Sequence, residues 1–433
     1  MGFISLLACQ DAPETAYDAF GGYTEIQREA TGWFQVDSVG GRWMFITPAG
    51  HGYLALGANH TGRYLKESQQ SAALYERIGG DSLQAKVTMH QAYLESGLNA
   101  GEAYAPLDPY LRQQLPHIVH LNYPGSKFAF DVFNESVQTA FRQSLVPACQ
   151  SFADDSLALG VAFVDLPIWD SRRVDFFRKL PATAPGKLEY VQFLEKRYQS
   201  DISQLNQAYD TTFTSFDEIA ATTEWQPDHD LAKVKHDDAL FMGRIAAVLY
   251  PLLRGIVREG APHHLFMGER YVLRMVPEPV LRVAGQYVDV FCTQALILSP
   301  QRPPEWQVFQ VGGYDSTFAL VQKPMIVVDW ATPFSLDETY TNDRGTIKAE
   351  AAAAEDVAQW VTTALAQPYI VGVFKCQFIG THGNDRWFPA GRMKRTLWQD
   401  DGTAFPVMTK RMTQAHQEAL QDVYQSVARR LSR

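Results

Sequence analysis

Eight short apolar runs recur along this 433-residue chain, separated by longer segments of helical spacing, and this recurrence constrains its fold more than any other feature. The runs are Tyr53 to Gly57, Leu98 to Tyr104, His117 to Leu121, Leu159 to Val164, His264 to Gly268, Val288 to Thr293, Pro324 to Val328 and Tyr369 to Phe374. Apolar strands alternating with crossover helices predict an α/β fold with a parallel sheet, and eight of them predict a closed (β/α)8 TIM barrel. The C-terminal ends of barrel strands meet at one mouth, so side chains far apart in sequence converge there. At or just beyond these ends stand Asn59 and His60, Glu102 and Tyr104, Asn122, Asp165, Glu269 and Arg270, Gln294, Asp329 and Trp330, and Gln377.

Ahead of the first run, Phe34 to Val36 and Arg42 to Ile46 flank Val39-Gly40-Gly41 and read as a β-hairpin, followed by a turn at Pro48-Ala49-Gly50. Positions 1 to 30 read as an N-terminal extension and 31 to 433 as a single barrel domain, with a helical insertion at about 187 to 220 after the fourth strand. A helix ending near Leu365 and a C-terminal helix over Met412 to Leu431 complete the pattern.

The formal net charge of −10 repels phosphate backbones and argues against a nucleic-acid partner. Cys9, Cys149, Cys292 and Cys376 are widely spaced, which predicts isolated thiols rather than a disulfide framework or a zinc site. His117-x-x-His120 lies within a predicted strand, where the separation of three turns the two rings to opposite faces, so no metal is expected. Phosphate-binding glycine loops, a Gly-x-Ser-x-Gly elbow and a nicotinamide fingerprint are missing, and no cofactor is expected. No run is long and apolar enough to predict a membrane span. Gly2 to Cys9 reads as the end of a truncated lipoprotein signal or as a plain extension, giving a cytoplasmic or periplasmic expectation.

Several segments together resemble the β-agarases of glycoside hydrolase family 50. Gly32-Trp33-Phe34 through Trp43, Thr47-Pro48-Ala49-Gly50-His51 and Leu56-Gly57-Ala58-Asn59-His60 resemble the entry to that family's barrel. Leu159-Gly160-Val161 to Asp165, Met267-Gly268-Glu269-Arg270-Tyr271, Val288-Asp289-Val290 and Lys323-Pro324-Met325 to Asp329 resemble its fourth to seventh strands. Pro368 to Gln377, with Trp398-Gln399-Asp400-Asp401-Gly402, resembles its closing strand and tail. The insertion around Arg197-Tyr198 and Leu205-Asn206 is similar to the related family 42 β-galactosidases.

The resemblance implies a retaining glycosidase with one catalytic glutamate after the fourth strand and another at the seventh. This chain departs at both, carrying Asp165-Leu166-Pro167 and Asp329 in their places. The catalytic candidates are therefore Asp329 as nucleophile or base, with Asp165, Glu269 or Asp170 as proton donor. Asn59, His60, Glu102, Tyr104, Asn122, Arg270, Gln294 and Gln377 have the chemistry to hydrogen-bond sugar hydroxyls or sulfates, and Trp169 and Trp330 to stack on sugar rings. The expected activity is hydrolysis of β-galactosidic linkages in an agar-, porphyran- or carrageenan-type polysaccharide or oligosaccharide. A barrel that only binds sugar, and a hydrolase of another β-glycan, are the competing readings.

Overall fold

A computed structural model describes residues 16–59, 76–77, 81–101, 109–295, 308–342, 345–379, 393–399 and 402–432. Eight parallel strands form its centre: β1 (Ala55–Ala58), β2 (Ala100–Gly101), β3 (His117–Leu121), β4 (Ala158–Asp165), β5 (Phe266–Arg270), β6 (Phe291–Gln294), β7 (Met325–Trp330) and β8 (Ile370–Lys375). They are ordered β6-β7-β8-β1-β2-β3-β4-β5. The ring closes between β5 and β6, where Tyr271 bridges to Thr293 and its N–H donates to the Cys292 carbonyl at 3.2 Å. The (β/α)8 barrel expected from the eight apolar runs is thus the observed fold, with every strand in its predicted place.

Two apolar layers hold it. The barrel interior is filled by side chains that include Ile118, Leu159, Ala162, Met267, Val290, Cys292, Ile326, Val328 and Phe374. The outward side chains of the same strands, such as Val161, Phe163, Phe266, Met325 and Val327, pack under the surrounding helices. Gly57 permits the closest approach in the wall, because a Cβ there would lie 2.4 Å from the Phe374 ring and 2.6 Å from the Ala100 carbonyl oxygen.

A four-stranded antiparallel sheet covers the N-terminal end of the barrel. The predicted hairpin pairs Gln35–Val39 with Arg42–Ile46, and Tyr23–Gln27 and His51–Tyr53 extend it. Phe34, Phe45 and Tyr53 join the interior cluster as its floor. Arg42 fastens the sheet to the barrel by donating to the carbonyls of Gln367 and Ile370, at 2.9 and 3.0 Å.

The insertion after β4 is helical, as expected, with helices Pro185–Arg197, Ile202–Tyr209 and Phe216–Ala221. They lead into Ala232–Gly260, a helix long and apolar enough to cross a membrane, 61% of whose most apolar window is buried inside this fold. The other helices include Glu350–Ala366 and Pro406–Leu431, close to their predicted limits. Phe334–Ser335, Tyr340–Asn342 and Gly345–Ala349 after β7 form a small sheet with Met393–Lys394 after β8; nothing in the apolar spacing announces it.

Candidate active site

The mouth of the barrel is organised around one guanidinium. Arg270, at the end of β5, has no exposed side-chain surface, and its two terminal nitrogens each meet a carboxylate. One lies 3.0 Å from Oδ1 of Asp165 at the end of β4, and the other 2.7 Å from Oδ2 of Asp329 near the end of β7. Both carboxylates keep a small opening to solvent, at 15% and 16% exposure. Asn59, just after β1, donates through Nδ2 to Oδ1 of Asp329 at 2.5 Å, and Gln294, ending β6, donates through Nε2 to Oδ1 of Asp165 at 2.7 Å. Strand ends 1, 4, 5, 6 and 7 therefore contribute to one constellation.

A shared backbone device brings these side chains together. In β7 the alternation sends Ile326 and Val328 inward and Met325 and Val327 outward, so strict continuation would turn Asp329 out and Trp330 in. Asp329 instead adopts φ +60°, the strand register shifts beside it, and the two side chains exchange faces. In β5, Gly268 at φ +70° follows inward-facing Met267 and exchanges Glu269 with Arg270 in the same way. In β4, Val164 at φ +43° and Leu166 at φ +52° flank Asp165 where the register shifts again. Left-handed backbone costs a non-glycine residue about 1–3 kcal/mol and tends to cluster at functional sites, where surrounding contacts enforce it. Among the described residues seven non-glycine positions are left-handed, and three of them, Val164, Leu166 and Asp329, belong to or adjoin the two carboxylates paired with Arg270.

The exchange in β5 takes Glu269 out of contention as a group at the mouth. Its carboxylate is fully buried in the layer between strand and helices. Tyr123 donates to Oε1 at 2.8 Å, while Trp169 Nε1 and Tyr250 each donate to Oε2 at 2.7 Å. Burial pushes its pKa up, although Arg173 and the three donors oppose the shift. The proposed sugar platforms are likewise occupied by protein. Trp169 is 1% exposed beneath the Arg173 guanidinium, 4.2 Å from its ring centroid, and Trp330 is 1% exposed and stacked on Trp360 at 4.3 Å. Asp170 caps the helix Ser171–Arg178 and pairs with Arg172 at 2.7 Å.

Asn122 is exposed beyond β3, and Gln377 is buried beyond β8. His60, Glu102 and Tyr104, together with Cys9 and its neighbours, lie outside the described residues. Among the described residues no group of His, Cys, Asp and Glu side chains is arranged to hold a metal ion. His117 sits at the opposite end of its strand from the mouth, 3.4 Å from Asp155.

Lys127 and His120 also stand at the mouth, the first without any signal in the sequence. Lys127, in the segment after β3, donates to the backbone carbonyl of Asp165. His120 is held neutral: burial, helped by Arg270 and Lys127, lowers its pKa to about 3. Lys375, ending β8, turns instead into the outer layer: it is fully buried with its ammonium nitrogen 5.0 Å from the Trp330 ring centroid, and burial pulls its pKa down to about 7. For Asp165 burial is again the largest influence. It raises the pKa, and Asp329 adds to the rise, against Arg270, Lys127 and the Gln294 hydrogen bond. Asp165 is thereby suited to hold a proton, while both oxygens of Asp329 accept from nitrogen donors, the setting of an ionised carboxylate.

Solved structures share this architecture. An agarase, AgWH50C, superposes with a TM-score of 0.74 at 17% identity, covering 95% of this chain and 68% of its own. PfGH50B gives 0.74 at 16%, covering 94% and 69%, and an exo-β-agarase gives 0.72 at 15%, covering 94% and 68%. The chain has the fold of these three structures. A β-galactosidase from the psychrophilic Marinomonas ef1 is more distant, with a TM-score of 0.53 at 12% identity over 86% of this chain and 60% of that one. No protein-family model matches the sequence, and no curated protein matches it.

Proposed function

We propose that this protein is a glycoside hydrolase acting on β-galactosidic linkages of an agar-, porphyran- or carrageenan-type glycan. The observation that carries the reading is the convergence of Asp165 and Asp329 on Arg270 at the barrel mouth, at the two strand ends where the resembled family places its catalytic pair. The substrate class rests on that resemblance and on the agarases and the β-galactosidase that share the fold.

In this mechanism Asp165 gives its proton to the glycosidic oxygen as the bond to the anomeric carbon breaks. Asp329 attacks that carbon, and Asp165 then takes a proton from the water that releases the sugar. Two carboxylates on adjacent nitrogens of one guanidinium leave little room for the water that an inverting pair must hold between carboxylate and sugar, which favours retention. Arg270 forms the floor beneath both and keeps Asp329 charged.

The test is turnover of red-algal oligosaccharides and nitrophenyl galactosides by the whole chain, with product anomers followed by NMR. Hydrolysis with retention, lost in a folded Asp329→Asn variant, is the expected result. No turnover by the wild type, or full activity in Asp329→Asn, refutes the assignment. The contact of both Asp165 and Asp329 with one buried arginine favours a second reading, a barrel that binds sugar without cleaving it. Calorimetric binding of an oligosaccharide with no product would establish that reading instead.

A further inference from the structure

The two oxygens of Asp165 have unequal surroundings. Oδ1 accepts from Gln294 at 2.7 Å and faces the Arg270 guanidinium in an ion-pair contact at 3.0 Å, whereas Oδ2 meets no donor among the described residues. Lys127 reaches only the backbone carbonyl of the same residue. A carboxyl oxygen that already accepts an N–H and faces a guanidinium is a poor seat for a proton, which the other oxygen then carries.

We propose that Gln294 is a positioning residue for the hydrolysis put forward above: by occupying Oδ1 of Asp165 together with Arg270, it reserves Oδ2 as the atom that holds and delivers the proton. The inference rests on the glycosidase reading and adds a residue to it. Arg270 alone does not suffice, because it also serves Asp329 and does not distinguish the two carboxylates. Gln294 is an uncharged donor committed to Asp165 from a different strand. It fixes the carboxyl plane without supplying the full positive charge that would strip the proton away. The charged and titratable groups facing Asp165 are Arg270 from β5, Asp329 from β7, Lys127 from the segment after β3 and Cys292 from β6; burial and Asp329 raise its pKa, Arg270 and Lys127 lower it.

The experiment titrates the Asp165 carboxyl carbon by 13C NMR in the whole chain, assigned by its loss in Asp165→Asn, and compares wild type with Gln294→Met. The apolar isostere removes one donor to the charged form, so the Asp165 titration is expected to move up by roughly one unit. Hydrolysis of an oligosaccharide, whose leaving group needs a proton, is expected to fall by about tenfold or more, while a nitrophenyl galactoside changes by less than about threefold. An unshifted titration, or equal loss on both substrates, overturns the proposal while leaving the glycosidase reading in place. Wild type inert on both substrates overturns both. If Gln294→Met does not fold, Gln294→Glu keeps the size and sets a carboxylate against Oδ1. It is then expected to raise the Asp165 titration further, and an unchanged titration again refutes the role.

Discussion

Replacing Arg270 with methionine tests the electrostatic core of the site. The guanidinium is fully buried and meets Asp329 at 2.7 Å and Asp165 at 3.0 Å. At an effective dielectric constant of about 20 the Asp329 separation corresponds to a gross attraction of ~6 kcal/mol, and the Asp165 separation to ~5.5 kcal/mol only when that group is ionised. Most of that offsets the desolvation of the charged groups. What the variant loses is larger than the net worth of the pairs, because it leaves two carboxylates facing each other without a cation. Breaking a buried pair from one side costs about 3–5 kcal/mol, and the slight exposure of both carboxylates places the expected loss near the lower end, at about 3 kcal/mol near neutral pH.

The pH dependence has a definite sign. Without Arg270 both carboxyl groups are pushed above their unfolded values, by burial and by one another. Stability tied to them is then fully present below the unfolded aspartate pKa of about 3.9 and is lost as pH rises through the folded values. The deficit of Arg270→Met relative to wild type should therefore be largest near neutrality and shrink on acidification. Urea unfolding of both proteins across that range, followed by tryptophan fluorescence, measures it. A deficit below about 1 kcal/mol near neutral pH, or one that grows on acidification, would show that Arg270 does not hold the two aspartates in the manner described.

Gly268→Ala should cost about 1–3 kcal/mol, since φ is +70° there and the added Cβ would stand 2.9 Å from both the Tyr271 hydroxyl and Val288; a variant as stable as wild type would remove the backbone argument for the exchange of Glu269 with Arg270. Glu269→Gln should leave turnover within about threefold of wild type, because the group touches Tyr123, Trp169 and Tyr250 rather than substrate. Since burial raises its pKa, the stability that wild-type Glu269 contributes is present below the unfolded glutamate value of about 4.3 and declines as pH rises, so the two denaturation curves should converge with increasing pH. Abolished turnover at unchanged stability would return Glu269 to the reaction.

The barrel and the set of strand ends at its mouth are legible in the order of the amino acids alone. Eight apolar runs at the spacing of crossover helices leave few other ways to bury so much surface, and that pattern is local, so it is readable one segment at a time. It also put Asn59, Asp165, Arg270, Gln294 and Asp329 at the end of the molecule where they meet. What it did not determine is which face each side chain takes. Period-two reasoning cannot anticipate a left-handed residue at Val164, Gly268 or Asp329, because that conformation is imposed by contacts with neighbouring strands and helices rather than by local preference. For the same reason Glu269, Trp169 and Trp330, legible as polar or aromatic groups at strand ends, turn out to be held by Tyr250, Glu269 and Trp360, partners that only the packed fold brings to them. Only the closed barrel decides that Arg270 lies between two aspartates 164 positions apart in the chain, since nothing but packing joins the ends of β4, β5 and β7.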